Sequence, residues 1–87
     1  MPRVFIPPLL KPLCDGESVV TVAADNVRQV IDELENRFPG VRDRLCEGDD
    51  LKPGLTVAVD ANVSSLGMLQ KLSEDSEVHF LPAIGGG

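Results

Sequence analysis

"NVRQVIDELENRFPG", residues 26–40, is the stretch on which the fold turns. Val27, Val30, Ile31, Leu34 and Phe38 recur at the three- and four-residue steps of one helix face, and Asp32, Glu33, Glu35 and Arg37 fall away from it. Asn26 is of a type that caps a helix N-terminus, and Gln29 stands three residues on, in the capping-box position. Pro39-Gly40 ends the run. The pattern predicts one amphipathic helix with a single apolar stripe, and one such stripe covers only one face of a sheet.

Working outward, the flanking segments read as strands. In "RVFIPPLL" (3–10), Val4 and Ile6 point to one side and Arg3 and Phe5 to the other. Pro7 and Pro8 have no N–H to donate, so pairing should stop there. "SVVTVA" (18–23) is rich in β-branched residues, with Val20 and Val22 inward. "CDGES" (14–18), with its Asp15-Gly16 pair, reads as a short turn joining these two strands into a hairpin. Residues 41–54 read as a polar connection with one helical turn at 41–45. "LTVAVD" (55–60) is a third strand, with Leu55, Val57 and Val59 inward and Thr56 and Ala58 outward. A short strand at Val63 and a turn near 67–71 follow. "SEDSE" (73–77) reads as a solvated turn, and "EVHFLP" (77–82) as a last strand with Val78 and Phe80 inward. The expectation is an α+β domain over residues 1–82, a mixed sheet of four to five strands covered on one face by one main helix. Residues 83–87 form a flexible tail.

The other sheet face stays open. Alternation places Phe5, Ala58, His79 and Leu81 on it, an apolar patch of the kind that marks a docking surface. Alternatively, strand 1 twists and Phe5 tucks under the loops.

Composition narrows the function. A chain of 87 residues buries roughly 60–65% of its unfolded surface, enough for one small core and too little for a deep active-site cavity as well. The formal charge of −6 repels phosphate backbones and anionic membranes, so neither nucleic acid nor membrane is an expected partner. No apolar run nears the ~20 residues of a membrane span, and the first residues lack the features of a signal peptide, which points to the cytoplasm. Cys14, Cys46 and a single His do not make a metal site, and the two thiols are expected reduced. His79 has no nucleophile near it in sequence, and no hydrolase, metalloprotease or phosphate-loop motif is present. The chain is not expected to be an enzyme in its own right.

The tail, "LPAIGGG" (81–87), carries the chemistry that remains. Glycine averages ~7% of residues, so three in a row at a terminus is a strong departure from chance. A frayed end is the bland reading. The other follows from the missing Cβ: Gly85, Gly86 and Gly87 can pass through a channel that would clash with any side chain. At its far end such a tail presents the α-carboxylate of Gly87, a poor electrophile until it is adenylated.

These residues resemble the ubiquitin-like β-grasp sulfur carriers of the MoaD/ThiS type. The element order and the ending, with acidic Asp75–Glu77, strand Val78–Leu81, Pro82, Ile84 and terminal Gly86-Gly87, are similar to that family's. "FIPPLLKPL" and "VIDELENRFPGVRDRL" look most like the CysO-type carriers within it. The departures are Gly85, where relatives often carry Ala or Thr, and "SEDSE" in place of a commoner "xDGDE" turn. The resemblance implies that a ubiquitin-activating-type adenylyltransferase uses ATP and Mg²⁺ to adenylate Gly87, and that a persulfide then converts it to a thiocarboxylate. It also implies that a biosynthetic enzyme, by preference cysteine-synthase-like, accepts the sulfur. Ile84, Gly85 and Gly86 would thread the partner's active site, and Phe5, His79, Leu81 and Pro82 would dock against it. The chain would bind no cofactor of its own and be a monomer when free. Three alternatives stay open: the small subunit of molybdopterin synthase, a protein modifier joined through Gly87, and a β-grasp binding module whose tail is idle.

Overall fold

A computed structural model describes residues 1–82; Ala83, Ile84, Gly85, Gly86 and Gly87 lie outside the described residues, and of Pro82 only the backbone is described. In chain order the elements are β1 (Arg3–Phe5), a 3-10 helix (Pro8–Cys14), β2 (Val19–Thr21), α1 (Val27–Arg37), α2 (Val41–Leu45), β3 (Cys46–Glu47), β4 (Asp50–Leu51), β5 (Leu55–Val59), β6 (Asn62–Val63), a 3-10 turn (Gly67–Leu69) and β7 (Glu77–Pro82). Five strands form one mixed sheet in the order β2-β1-β7-β5-β6. Only β1 and β7 run parallel; the other pairs are antiparallel. The β-grasp expected from the sequence is the fold.

The helix stripe packs as its spacing requires. Val27, Val30, Ile31 and Leu34 are fully buried, facing Val4, Val20, Val22, Val57, Val59, Val78 and Phe80 from the sheet. Phe38 is only partly buried, packed on the rim of this core. The cap forms with one difference from a capping box. Asn26 Oδ1 accepts from the Gln29 N–H at 2.8 Å, but Gln29 Oε1 accepts from the Asp25 N–H, one residue before the cap, at 2.7 Å. A backbone strap closes over this end: Val27 N–H donates to Gln70 and Leu72 N–H donates to Asp25.

Two sequence expectations need correction. β1 and β2 do pair, Val4 against Val20, but no short turn joins them. The prolines that stop the ladder start a 3-10 helix instead, because proline supplies the φ a helix needs and gives up an N–H its first turn does not use. That helix drives Leu10 and Cys14 fully into the core; Asp15 and Gly16, both at positive φ, turn the chain only after it. The second correction concerns residues 46–54, read as a featureless connection. They hold a two-stranded ladder, with Cys46 against Leu51 and Glu47 against Asp50.

Glu35 links the two helices. Its carboxylate accepts from the N–H groups of Arg42 (2.9 Å) and Gly40 (3.2 Å), and so caps α2 from α1. The Arg42 bond first, then the Gly40 bond, holds the Glu35 carboxyl below its ordinary value. The stability this confers is complete above the unfolded-state value of about 4.3 and is lost as pH falls through the lower folded value. Glu35→Gln should therefore melt below the parent at neutral pH, and the two melting curves should converge as pH falls through that window.

The β5–β6 hairpin closes through Asp60 and Ala61, at φ of 52° and 71°. These angles suit the type I′ turn that matches strand twist, but Ala61 carries a Cβ that disfavours them. Ala61→Gly should raise stability by about 0.5–1 kcal/mol, read as a higher urea midpoint with an unchanged slope.

Candidate functional site

Strand pairing assembles the open face. Phe5 lies opposite Val19 on one side and His79 on the other; His79 lies opposite Ala58, and Ala58 opposite Val63. Val19, Phe5, His79, Ala58 and Val63 therefore form one row across all five strands. Phe5 does not tuck under the loops. Its ring stacks on the His79 imidazole, centroids 4.3 Å apart and planes 7° from parallel. Such aromatic pairs add about 0.5–1.5 kcal/mol beyond the area they bury, so the pair is a rigid feature of the face. Leu81 is next along β7, 38% exposed and opposite Thr56.

The structure thus brings together Phe5, Ala58, His79 and Leu81, as alternation predicts. Val19 and Val63 complete the row and were not read from the sequence. Val19 follows from the same alternation that turns Val20 and Val22 inward, whereas β6, two residues long, is too short to show any period. The backbone of Pro82 ends β7 in register with Leu55. The predicted tail residues Ile84, Gly85, Gly86 and Gly87 lie outside the described residues.

β7 is the strand that leads to the tail, and it is held from both sides, by β1 and by β5. Its start is fixed by a polar knot. Asp60 Oδ1 accepts from the Glu77 N–H at 2.9 Å, and the Ser76 hydroxyl donates to Asp60 Oδ2 at 3.4 Å. Ser76 Oγ in turn accepts from the Ser73 N–H at 2.9 Å. Ser76 is only 1% exposed, so "SEDSE" is not a wholly solvated turn; burial of its last serine clamps the strand. Arg3 and Glu77 pair at 2.6 Å beside it, both side chains well exposed, a contact worth about 0–1 kcal/mol.

The chemistry available to this face is contact chemistry. His79 is in contact with a phenyl ring rather than a nucleophile, and among the described residues no group of His, Cys, Asp and Glu is placed to hold a metal ion. Among the described residues no helix is long and apolar enough to cross a membrane. Cys14 and Cys46 are free and buried. Burial first pushes both thiols up from their ordinary value; Asp15 adds to the effect at Cys14, and Arg42 partly opposes it at Cys46. Neither is a reactive thiolate.

Comparison with known proteins agrees with this geometry. The ThiS family model matches residues 11–87. The sulfur carrier protein CysO of Mycobacterium tuberculosis is 32% identical over 91 residues, an alignment covering 97% of this chain and 96% of that protein. The crystal structure of the Amycolatopsis orientalis BexX/CysO complex contains a chain that superposes with a TM-score of 0.90 at 27% identity, both chains covered in full. The crystal structure of Mycobacterium tuberculosis CysO superposes at 0.86 with 26% identity, over 97% of this chain and 100% of that one. The small archaeal modifier protein 1 of Methanosarcina acetivorans shares the fold, at a TM-score of 0.79 and 19% identity over 99% of this chain and 95% of that one. A carrier is a co-substrate and not a catalyst, consistent with a body that holds one strand firmly and offers a flat face. The chain belongs to the ThiS family of β-grasp sulfur carriers.

Proposed function

We propose that the chain carries sulfur as a thiocarboxylate on Gly87 and delivers it to a cysteine-synthase-like enzyme. The observation that carries this reading is the similarity to a CysO carrier over 97% of the chain, together with a ThiS family match that runs to residue 87. In the first step a ubiquitin-activating-type adenylyltransferase joins the Gly87 carboxylate to the α-phosphate of ATP·Mg²⁺ and releases pyrophosphate. A persulfide then attacks the acyl carbon and AMP leaves. Cleavage of the resulting acyl disulfide by a thiol frees the thiocarboxylate, whose sulfur is a far better nucleophile than carboxylate oxygen. Ile84, Gly85 and Gly86 lie in the partner's channel during each step, and the face of Phe5, His79 and Leu81, with Pro82 next in the chain, bears on its rim. Ordering a glycine tail costs entropy, so the folded body supplies most of the affinity. Between encounters the chain is a cytoplasmic monomer, its charge of −6 setting copies apart.

The test is the mass of the C-terminal tryptic peptide from protein isolated from its own host. Cleavage after Lys71 gives Leu72–Gly87, which contains no Met or Cys. A gain equal to one oxygen replaced by sulfur is expected, and iodoacetamide applied to the folded protein should label this peptide ahead of the two buried thiols. An unmodified peptide after incubation with the host's adenylyltransferase, ATP and a sulfur donor would sink the reading.

A further inference from the structure

Exposed leucines stand in two places. Leu66 (58%) and Leu69 (73%) flank a 3-10 turn that packs on α1 and β4, on the helix-covered side. The Ser64 hydroxyl donates to Gln70 Oε1 at 2.7 Å and Leu66 N–H donates to Ser64 Oγ at 3.0 Å, which holds the turn there. Leu9, 50% exposed, lies at the end of the sheet where β7 finishes. Phe5 is level with His79 where β1 and β7 run parallel. Two residues past Phe5, Pro7 keeps an extended backbone, φ −68° and ψ 156°; two residues past His79 is Leu81. The 3-10 helix that follows Pro7 therefore starts about one strand spacing (~4.8 Å) from the last residues of β7, and Leu9 is its second residue.

Leu9 sits on a rigid frame. Leu10 N–H donates to Pro7 at 2.9 Å, Leu10 and Cys14 are fully buried, and Pro7, Pro8 and Pro12 fix φ at their positions. An exposed leucine held in this way loses little further freedom when a partner covers it. The two ends of the sheet also differ in charge. The segments that carry β1, β5 and β7 at this end, residues 4–10, 53–59 and 78–82, hold no Asp, Glu, Lys or Arg, and Lys11 and Lys52 bound them. At the other end stand Arg3, Asp60, Glu74, Asp75 and Glu77. Charged residues are depleted at the centre of protein interfaces, so the chain leaves the sheet for its tail at the end better suited to contact.

Reach decides what covers that end. With Ile84 to Gly87 in an enzyme's channel, only Ala83 separates the channel mouth from Pro82, a span of about 7 Å. The rim of the channel then bears on what stands beside Pro82. We infer that Leu9 is a specificity contact for the sulfur-accepting enzyme, seated against apolar side chains on the rim of its tail channel. This rests on the proposed delivery of sulfur from Gly87. The acceptor is the occupant because delivery fixes the product. Activation does the same chemistry on any glycine carboxylate, whereas sulfur handed to a wrong acceptor enters another reaction. Glycines have no side chains with which to make that choice, so it falls to the body beside the tail.

The experiment is calorimetric titration of the full chain, its Gly87 thiocarboxylate installed by sulfide cleavage of an intein fusion, into the cysteine-synthase-like enzyme of its own host. Leu9→Ser should raise Kd about tenfold and make the heat-capacity change of binding less negative, because less apolar surface is covered. Leu9→Lys, the second variant, should weaken binding at least as much. Leu9→Met should stay within about twofold of the parent. Leu69→Ser, which removes a more exposed leucine from the helix-covered side, should change neither quantity. Melting curves taken beside the parent's show which variants are folded. A folded Leu9→Ser or Leu9→Lys chain with the parent's Kd overturns the inference, as does a defect confined to ATP–pyrophosphate exchange by the adenylyltransferase. Failure of the unaltered thiocarboxylate chain to bind the enzyme overturns the proposed acceptor, and this contact with it.

Discussion

Deleting Gly86 and Gly87 abolishes thiocarboxylate formation and leaves the melting curve of the body unchanged: this is the largest functional effect expected of any small change. The core described for residues 1–82 joins α1, the sheet and the first 3-10 helix, and the last two residues are glycines with no side chain to bury in it. Stability should therefore be indifferent to the last two residues. Activation should not be. The shortened chain still ends in a glycine carboxylate, that of Gly85, but it falls about 7 Å short of the position that Gly87 reaches. Where a 1 Å misplacement can cost about 10²-fold, a gap of that size leaves no productive geometry with ATP. Intact mass after incubation with adenylyltransferase, ATP and a sulfur donor should show sulfur on the parent and none on the truncated chain. Sulfur on the truncated chain would place the reactive group elsewhere and remove the reason for the glycine run.

How much of this was legible beforehand depended on local periodicity. The helix declared itself because five apolar residues over three turns leave one stripe, and its cap because Asn26 and Gln29 stand at the required spacing. β5 and β7 were legible for the same reason, being long enough for inward and outward residues to alternate. The 3-10 helix was not. Its prolines say only that a ladder ends, and the burial of Leu10 and Cys14 is decided by packing against α2, a contact distant in sequence. β3 and β4 have two residues each, too few to carry any period. The open-face residues Phe5, Ala58, His79 and Leu81 followed from alternation within strands; placing Val19 and Val63 in one row with them needed the register between strands. Leu66 and Leu69 look like ordinary core leucines in the sequence, and only the hydrogen bonds of Ser64 and Gln70 turn them outward.

Leu34→Ala is the change with the largest expected effect on stability. Leu34 sits near the middle of the α1 stripe, fully buried against the sheet. Truncating such a side chain removes its transfer free energy and leaves a cavity that the neighbours fill only in part, at a cost of about 2–5 kcal/mol. Alanine's better helix propensity returns only a few tenths of a kcal/mol. A domain of this length has roughly 4–13 kcal/mol in total, so the loss is a large fraction of what holds the fold. At ~4–8 °C per kcal/mol, a loss near 3 kcal/mol lowers the melting temperature by about 12–24 °C. Leu69→Ala is the internal comparison, a leucine of the same size whose exposure predicts a change within about 0.5 kcal/mol. The contrast bears on function through β7. Val78 and Phe80 anchor that strand in the same core that Leu34 fills, and β7 sets where the tail begins. Urea unfolding at constant slope should show the midpoint fall for Leu34→Ala and hold for Leu69→Ala. Equal midpoints would mean that the α1 stripe does not cover the sheet, and that the start of the tail is fixed by something other than this core.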